Sequence, residues 1–294
     1  MRLDDIDPTD FAEDAGRGGG GGGGGFGLLG LLPLLLGRGM GCGGIAIIGV
    51  IALVYFAMGG GGMLGTSGGG QSPTAGQSGR QVCEQSPTRL ESCRVMRSAD
   101  DTWAAIFKAE GKQYQPATIK FYEDSVQSGC GSASSAVGPF YCPADQRVYL
   151  DTSFFQELEQ RFGAKGDFAR DYVIAHEMGH HIQDLLGVSG EVSRRQAQSS
   201  EADGNALSVR LELQADCYAG VWAARNKDRI EPGDIEEGMT AANAIGDDTL
   251  QKQSQGQVVP ESFTHGTSAQ RTAWLKKGLE SGDPAKCDTF SGGI

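Results

Sequence analysis

One stretch, Asp171-Tyr172-Val173-Ile174-Ala175-His176-Glu177-Met178-Gly179-His180-His181, constrains this chain more than any other. Its two outer histidines can act together only on a helix, where positions i and i+4 share a face. The apolar run before His176, and Ile182, Leu185 and Leu186 after it, predict a helix from about Asp167 to Leu186, stopped at Gly187. In that geometry His176 and His180 present two imidazole nitrogens to one Zn²⁺, and Glu177 lies beside the water such an ion binds. The plainer alternative is a helix that carries two histidines without a metal. Three of the four histidines in the chain fall between positions 176 and 181, so the decision rests on whether other segments complete a site.

A catalytic zinc has three protein ligands and one open position. The metzincin signature needs Gly and His at the positions held here by Gln183 and Leu186, so that class is excluded. The third ligand comes from elsewhere, and Glu212 in Leu211-Glu-Leu-Gln-Ala-Asp216-Cys-Tyr-Ala-Gly220 is the best candidate. On a helix Glu212 and Asp216 share a face flanked by apolar residues, and buried carboxylates need partners. Glu212 on the metal, with Asp216 accepting a ring N–H from a ligand histidine, satisfies both. The alternative is a pair of exposed helix acids. His181 lies about 100° round the helix from His180 and reads as a second-layer or surface residue. Gly179 in a helix interior costs roughly 1 kcal/mol against Ala, which suggests that another element packs closely there.

The chain has 294 residues and a formal net charge of -12, which argues against a nucleic-acid partner. Residues 1–38 begin with clustered acids and continue into the glycine run Gly18–Gly25, and they are expected to be disordered. Met40–Met58 holds no charge, and its nineteen residues span about 28 Å as a helix, close to a bilayer core. Residues 39–58 are therefore expected to be a single transmembrane helix and 59–80 a flexible linker. Arg2, Arg17 and Arg38 precede the span, and no Lys or Arg follows it until Arg80. The positive-inside rule then puts residues 1–38 in the cytoplasm and residues 81–294 outside. Six of the seven cysteines lie beyond the apolar run, which suits an oxidising compartment. Nearness in sequence favours Cys83–Cys93 and Cys130–Cys142, leaving Cys217–Cys287 by elimination.

Within residues 81–294 the patterns predict an α+β fold, with strands early and helices late. The expected elements are a helix from Ser98 to Gly111, a strand at 117–122 and a small-residue loop from Ser128 to Gly138. Two short strands, Phe140–Cys142 and Arg147–Leu150, follow, then a helix capped near Asp151. Later come the metal-motif helix, a polar insertion from Ser189 to Ser200, and helices at 202–226, 234–245 and 268–278.

His176-Glu177-x-x-His180 followed by Glu212-x-x-Ala-Asp216 looks like a gluzincin-type metallopeptidase. Together with Gly138-Pro-Phe-Tyr-Cys-Pro143, Val148-Tyr-Leu-Asp151 and Phe263-Thr-His-Gly266, the chain resembles the bacterial neutral zinc metallopeptidases. That family has a glycine-rich N-terminus, one membrane span and one peptidase domain. The resemblance covers nearly the whole chain and implies zinc-dependent hydrolysis of peptide or protein substrates, with Glu177 as general base. His265, the one histidine outside the motif, is the candidate donor to the developing oxyanion, with Tyr149 and Tyr122 as weaker options. By analogy, the strand near Val148–Leu150 is expected at the sheet edge, as a platform for extended substrate. Two other readings are a membrane-tethered zinc-binding or chaperone-like protein without proteolytic activity, and a metal-free domain held by disulfides.

Overall fold

The computed structural model describes residues 1–18 and 77–294. The expected span at 39–58, and the linker up to residue 76, lie outside the described residues. Among the described residues no helix is long and apolar enough to cross a membrane. In chain order the elements are β1 (Ala12–Arg17), α1 (Gly79–Cys83), α2 (Pro87–Ala109), β2 (Thr118–Glu123), β3 (Ser125–Ser128), β4 (Gly131–Ser134), β5 (Phe140–Cys142) and β6 (Arg147–Leu150), followed by α3 (Ser153–Gln160), α4 (Asp167–Leu185), α5 (Val188–Gln196), α6 (Glu201–Arg225), α7 (Asp234–Ala244), α8 (Asp247–Gln255) and α9 (Ser268–Ser281). The class is α+β, a small sheet with a mostly helical remainder.

The main sheet runs β1-β2-β6-β5, and β3 pairs with β4 in a separate hairpin. β1, β2 and β6 are parallel, whereas β5 returns antiparallel to β6 with Tyr141 opposite Val148. Strand β6 is thus interior, and the strand expected at the edge near Val148–Leu150 is not there: β5 is. The short Pro143–Gln146 connection folds β5 back over β6 and leaves its outer side next to α4.

The N-terminal segment departs most from expectation. Residues 1–18 are ordered against the domain, with most of their acids paired to its arginines. Arg94 pairs with Asp4 at 2.9 Å, Arg147 with Glu13 at 2.8 Å, Arg89 with Asp14 at 2.9 Å, and Arg229 meets Asp5. Ala12 and Asp14 then register against Ile119 and Phe121 of β2. A strand hydrogen-bonded to β2 lies on the same side of any membrane as β2. The expected arrangement sets residues 1–38 apart from the domain, whereas residues 12–17 form a strand of its sheet.

Helix limits follow capping chemistry. Helix α2 starts at Pro87 rather than Ser98, because Ser86 caps it by accepting from the Arg89 N–H, and Pro at the first helical position needs no donor. Ser98 instead sits mid-helix and accepts from the indole N–H of Trp222 at 3.0 Å. Helix α4 ends where Gly187 adopts φ 75°, as the sequence indicates. The region expected as a polar insertion contains α5, which buries only Val192. The small-residue loop contains the turn and second strand, β4, of the β3–β4 hairpin. The disulfides are Cys83–Cys93, Cys130–Cys142 and Cys217–Cys287.

Two close helix contacts set the positions of the site residues. A Cβ on Gly278 of α9 would stand 1.9 Å from the Cys217 carbonyl oxygen, and one on Gly220 of α6 would stand 2.2 Å from that of Leu275. Only glycine at both positions lets α9 lie against α6. A Cβ on Gly179 of α4 would stand 2.9 Å from the Ala215 carbonyl oxygen, so the metal-motif helix touches the backbone of α6 there. We expect Gly179→Ala to lower stability, because overpacking costs about 1–3 kcal/mol and helix propensity returns only about 1. Thermal melts of the two proteins measure the difference, and an unchanged or higher Tm would contradict the contact.

Candidate metal centre

The packing of α4 against α6 sets two imidazoles opposite one carboxylate. His176 Nε2 lies 3.1 Å from Glu212 Oε2, and His180 Nε2 lies 3.4 Å from Glu212 Oε1. One ligand atom from each of the three residues falls within 4.8 Å of the other two. His176 and Glu212 are buried, and His180 is nearly so.

The far side of each ring fixes which nitrogen faces the centre. His176 Nδ1 is 2.8 Å from Asp216 Oδ1, a carboxylate that can only accept, so Nδ1 carries the proton. His180 Nδ1 is 2.8 Å from the amide oxygen of Gln183. That amide is oriented by its own NH₂, which donates to the Leu211 carbonyl at 2.7 Å and to Gln214 at 3.1 Å. Both Nε2 atoms therefore turn toward the Glu212 carboxylate. Three groups that can each offer an electron pair converge there, an arrangement that a metal cation satisfies. Two imidazoles and a carboxylate form a set that zinc takes. The residues present fit the metal that the sequence suggests.

The surrounding charges act in the same direction. Burial opposes a charge on His176, but Asp216 and Glu212 push the ring up to about 10. Burial likewise raises Glu212, yet His180, His265 and His176 hold its carboxyl well below the usual range. A field that draws a proton this strongly also draws a divalent cation, and ligand nitrogens release their protons when metal binds. Asp216 is itself clamped. Arg271 of α9 reaches both of its oxygens at 3.0 Å, and the Tyr172 hydroxyl donates to it at 2.6 Å. Tyr172 lies one helical turn before His176 on the same face.

Glu177 is buried beside His176 and His180. Burial raises its carboxyl above the usual range, while His180, His176 and the backbone N–H of Tyr141 pull it back down. That N–H belongs to β5, so the free edge of the sheet faces the general-base candidate. His265 reaches the same cleft from the loop before α9. Its Nδ1 lies 3.2 Å from Asp247 Oδ1, and Asp247 also accepts the backbone N–H groups of Thr264, His265 and Gly266 at 2.7, 2.7 and 3.1 Å. Burial lowers the His265 ring, but Glu212 and Asp247 together raise it.

The structure thus brings His176, Glu177, His180, Glu212, Asp216 and His265 together. It does not bring in Tyr149, whose hydroxyl donates to Asp145 at 2.6 Å, or Tyr122, whose hydroxyl points to the Ser134 carbonyl. His181 is not a surface residue: it is buried, with Nε2 2.7 Å from the Gln115 carbonyl and Nδ1 3.0 Å from the Tyr141 hydroxyl. Sequence reasoning missed Tyr172, Gln183, Asp247 and Arg271. For Tyr172 and Gln183 a signal existed, since each lies one turn from a ligand histidine. For Asp247 and Arg271 there was none, because each meets its partner only through tertiary packing.

A family model described as "Putative neutral zinc metallopeptidase" matches residues 1–290, and the chain belongs to that family. It is 49% identical over 231 residues to the uncharacterized protein YpfJ of Escherichia coli K12, covering 76% of this chain and 79% of that one. It is 44% identical over 219 residues to the uncharacterized protein Rv2575 of Mycobacterium tuberculosis H37Rv, covering 69% and 72%. No solved structure matches the chain.

Proposed function

We propose that this member of the zinc metallopeptidase family hydrolyses peptide bonds, with zinc held by His176, His180 and Glu212. The observation that carries the reading is the convergence of two Nε2 atoms and one carboxylate beside a second, buried carboxylate, Glu177. Bound there, zinc would acidify a water toward a pKa of about 7 and polarise the scissile carbonyl. Glu177 takes the water's proton and returns it to the leaving amine, a role favoured by a carboxyl raised through burial. His265 donates a hydrogen bond to the developing oxyanion, with Asp247 holding its other nitrogen. Tyr172 and Arg271 act at one remove, by fixing the Asp216 that orients His176.

The direct test is metal analysis of the purified protein together with cleavage of an unfolded protein such as casein. We expect one zinc per chain, activity lost on chelation and activity restored by zinc. Zinc-loaded protein that leaves casein and unfolded peptides intact would favour the zinc-binding, non-proteolytic reading instead. His265→Ala should lower kcat by about 10²–10³, the usual cost of losing an oxyanion donor, with KM little altered. Unchanged kinetics would withdraw the role.

Three disulfides support work in an oxidising compartment outside the cytoplasm. The uncharged run Met40–Met58 supports attachment to a membrane. With β1 in the sheet, both ends of the intervening segment belong on the side where the peptidase domain lies. Protease protection of residues 1–18 and 77–294 in sealed membrane vesicles should report one side for both.

A further inference from the structure

We propose that the enzyme is an endopeptidase that selects a large apolar side chain beside the scissile bond, seated among Phe154, Phe162, Val173, Ile245 and Leu250. This rests on the peptidase reading above and names its substrate class.

Two cavities of about 120 and 160 Å³ meet at the metal centre, sharing Val137, Glu177, His180, Glu212 and His265 as lining. The chemistry therefore sits at the waist of a continuous cleft, with room for chain on both sides of the bond to be cut. An exopeptidase needs a charged group to hold a substrate's terminal ammonium or carboxylate. Beyond the shared residues, the second arm is lined by no charged side chain among the described residues. In the first arm Asp247 and Arg271 are already committed to His265 and Asp216. Glu157 and Arg161, also on its lining, are exposed and of opposite sign. The second arm offers no charged seat for a chain end, whereas an uncharged, extended backbone fits it.

The arms differ in chemistry. The first places two phenylalanines of the α3 region against Val173, which stands three residues before His176 on the same helix face, and closes with Ile245 and Leu250. An apolar recess beside the reacting centre, on a chain of net charge -12, recognises an apolar side chain. The second arm mixes apolar side chains (Phe140, Val192 and Leu211) with the hydroxyls of Ser132, Ser193 and Ser208, and lacks the paired phenylalanines of the first. β5 is the edge strand of the sheet on this side, with its Tyr141 N–H turned to Glu177.

The test uses zinc-loaded full-length protein and decapeptides acetylated at the N-terminus and amidated at the C-terminus, varied to Leu, Phe, Ala, Asp or Lys around the cut. We expect cleavage inside the blocked peptides, with kcat/KM about 10- to 100-fold higher when Leu or Phe occupies one fixed side of the bond. Leu250→Ala should flatten that preference, and Leu250→Glu should turn it toward Lys. As a readout independent of turnover, a fluorescent blocked Leu peptide should bind the Glu177→Gln protein more tightly than its Asp counterpart. Cleavage confined to peptides with a free terminus, or equal rates across the series, would overturn this inference while leaving the peptidase reading standing. No cleavage of any peptide would overturn both.

Discussion

Glu177→Gln is expected to lower kcat/KM on unfolded protein by about 10²–10⁴ while leaving one zinc per chain. The substitution keeps the side chain's shape and an oxygen that can still accept from the Tyr141 N–H, but it removes the group that takes the water's proton. The three proposed metal ligands, and the Asp216 and Gln183 contacts that orient two of them, lie outside the change. Stability should hold or rise, since burial is the main force raising this carboxyl and a neutral amide escapes that penalty. Activity, bound zinc and Tm measured on one preparation separate the outcomes. Retained activity would show that the base lies elsewhere. Lost zinc would show that Glu177 supports the metal and not only the proton transfer. A non-proteolytic zinc protein has no use for a buried carboxylate at this position, so the same variant also decides between the two functional readings.

The centre was legible in the sequence to the extent that its geometry is local. His176, Glu177 and His180 lie on one helix, and helical periodicity alone puts both imidazoles on one face. Glu212 and Asp216 could be inferred because two acids at i and i+4 on an apolar helix need partners. Residues whose partners are distant were not legible. Arg271 looks like an ordinary charge on an amphipathic helix until Gly220 and Gly278 let α9 close on α6. Asp247 starts a short helix whose sequence carries no strong apolar stripe, and its meaning comes from the loop that folds over it. The same limit explains β1. Read alone, Asp4, Asp5, Glu13 and Asp14 look like a solvated charge cluster, because the arginines that neutralise them lie 75 to 224 residues away. The edge strand was misplaced for a related reason: two strands joined by a short turn do not reveal which of them faces outward.

The network behind the metal ligands should prove as sensitive as the ligands themselves. Asp216→Asn is expected to cost about 3–5 kcal/mol of stability, because it leaves Arg271 buried without its counter-charge. It should also weaken zinc binding by about 10–100-fold, since His176 loses the carboxylate that fixes its tautomer. The effect has a pH signature. Burial opposes ionisation of Asp216, but Arg271 and His176 hold its carboxyl at about 2, below the ordinary value of 3.8. A carboxylate depressed in the folded state stabilises fully above the unfolded value and loses that contribution as pH falls through the folded one. The gap in Tm between wild type and Asp216→Asn should therefore be widest near neutrality and close between about pH 4 and pH 2. A double variant, Asp216→Leu with Arg271→Met, removes both charges at once. It should recover much of the lost stability, since well-packed apolar residues can replace a buried pair. It should not recover zinc affinity, because no acceptor then faces His176 Nδ1. If the double variant bound zinc as tightly as wild type, Asp216 would be a fold element only, and the orientation of His176 would have to come from Tyr172 or from packing.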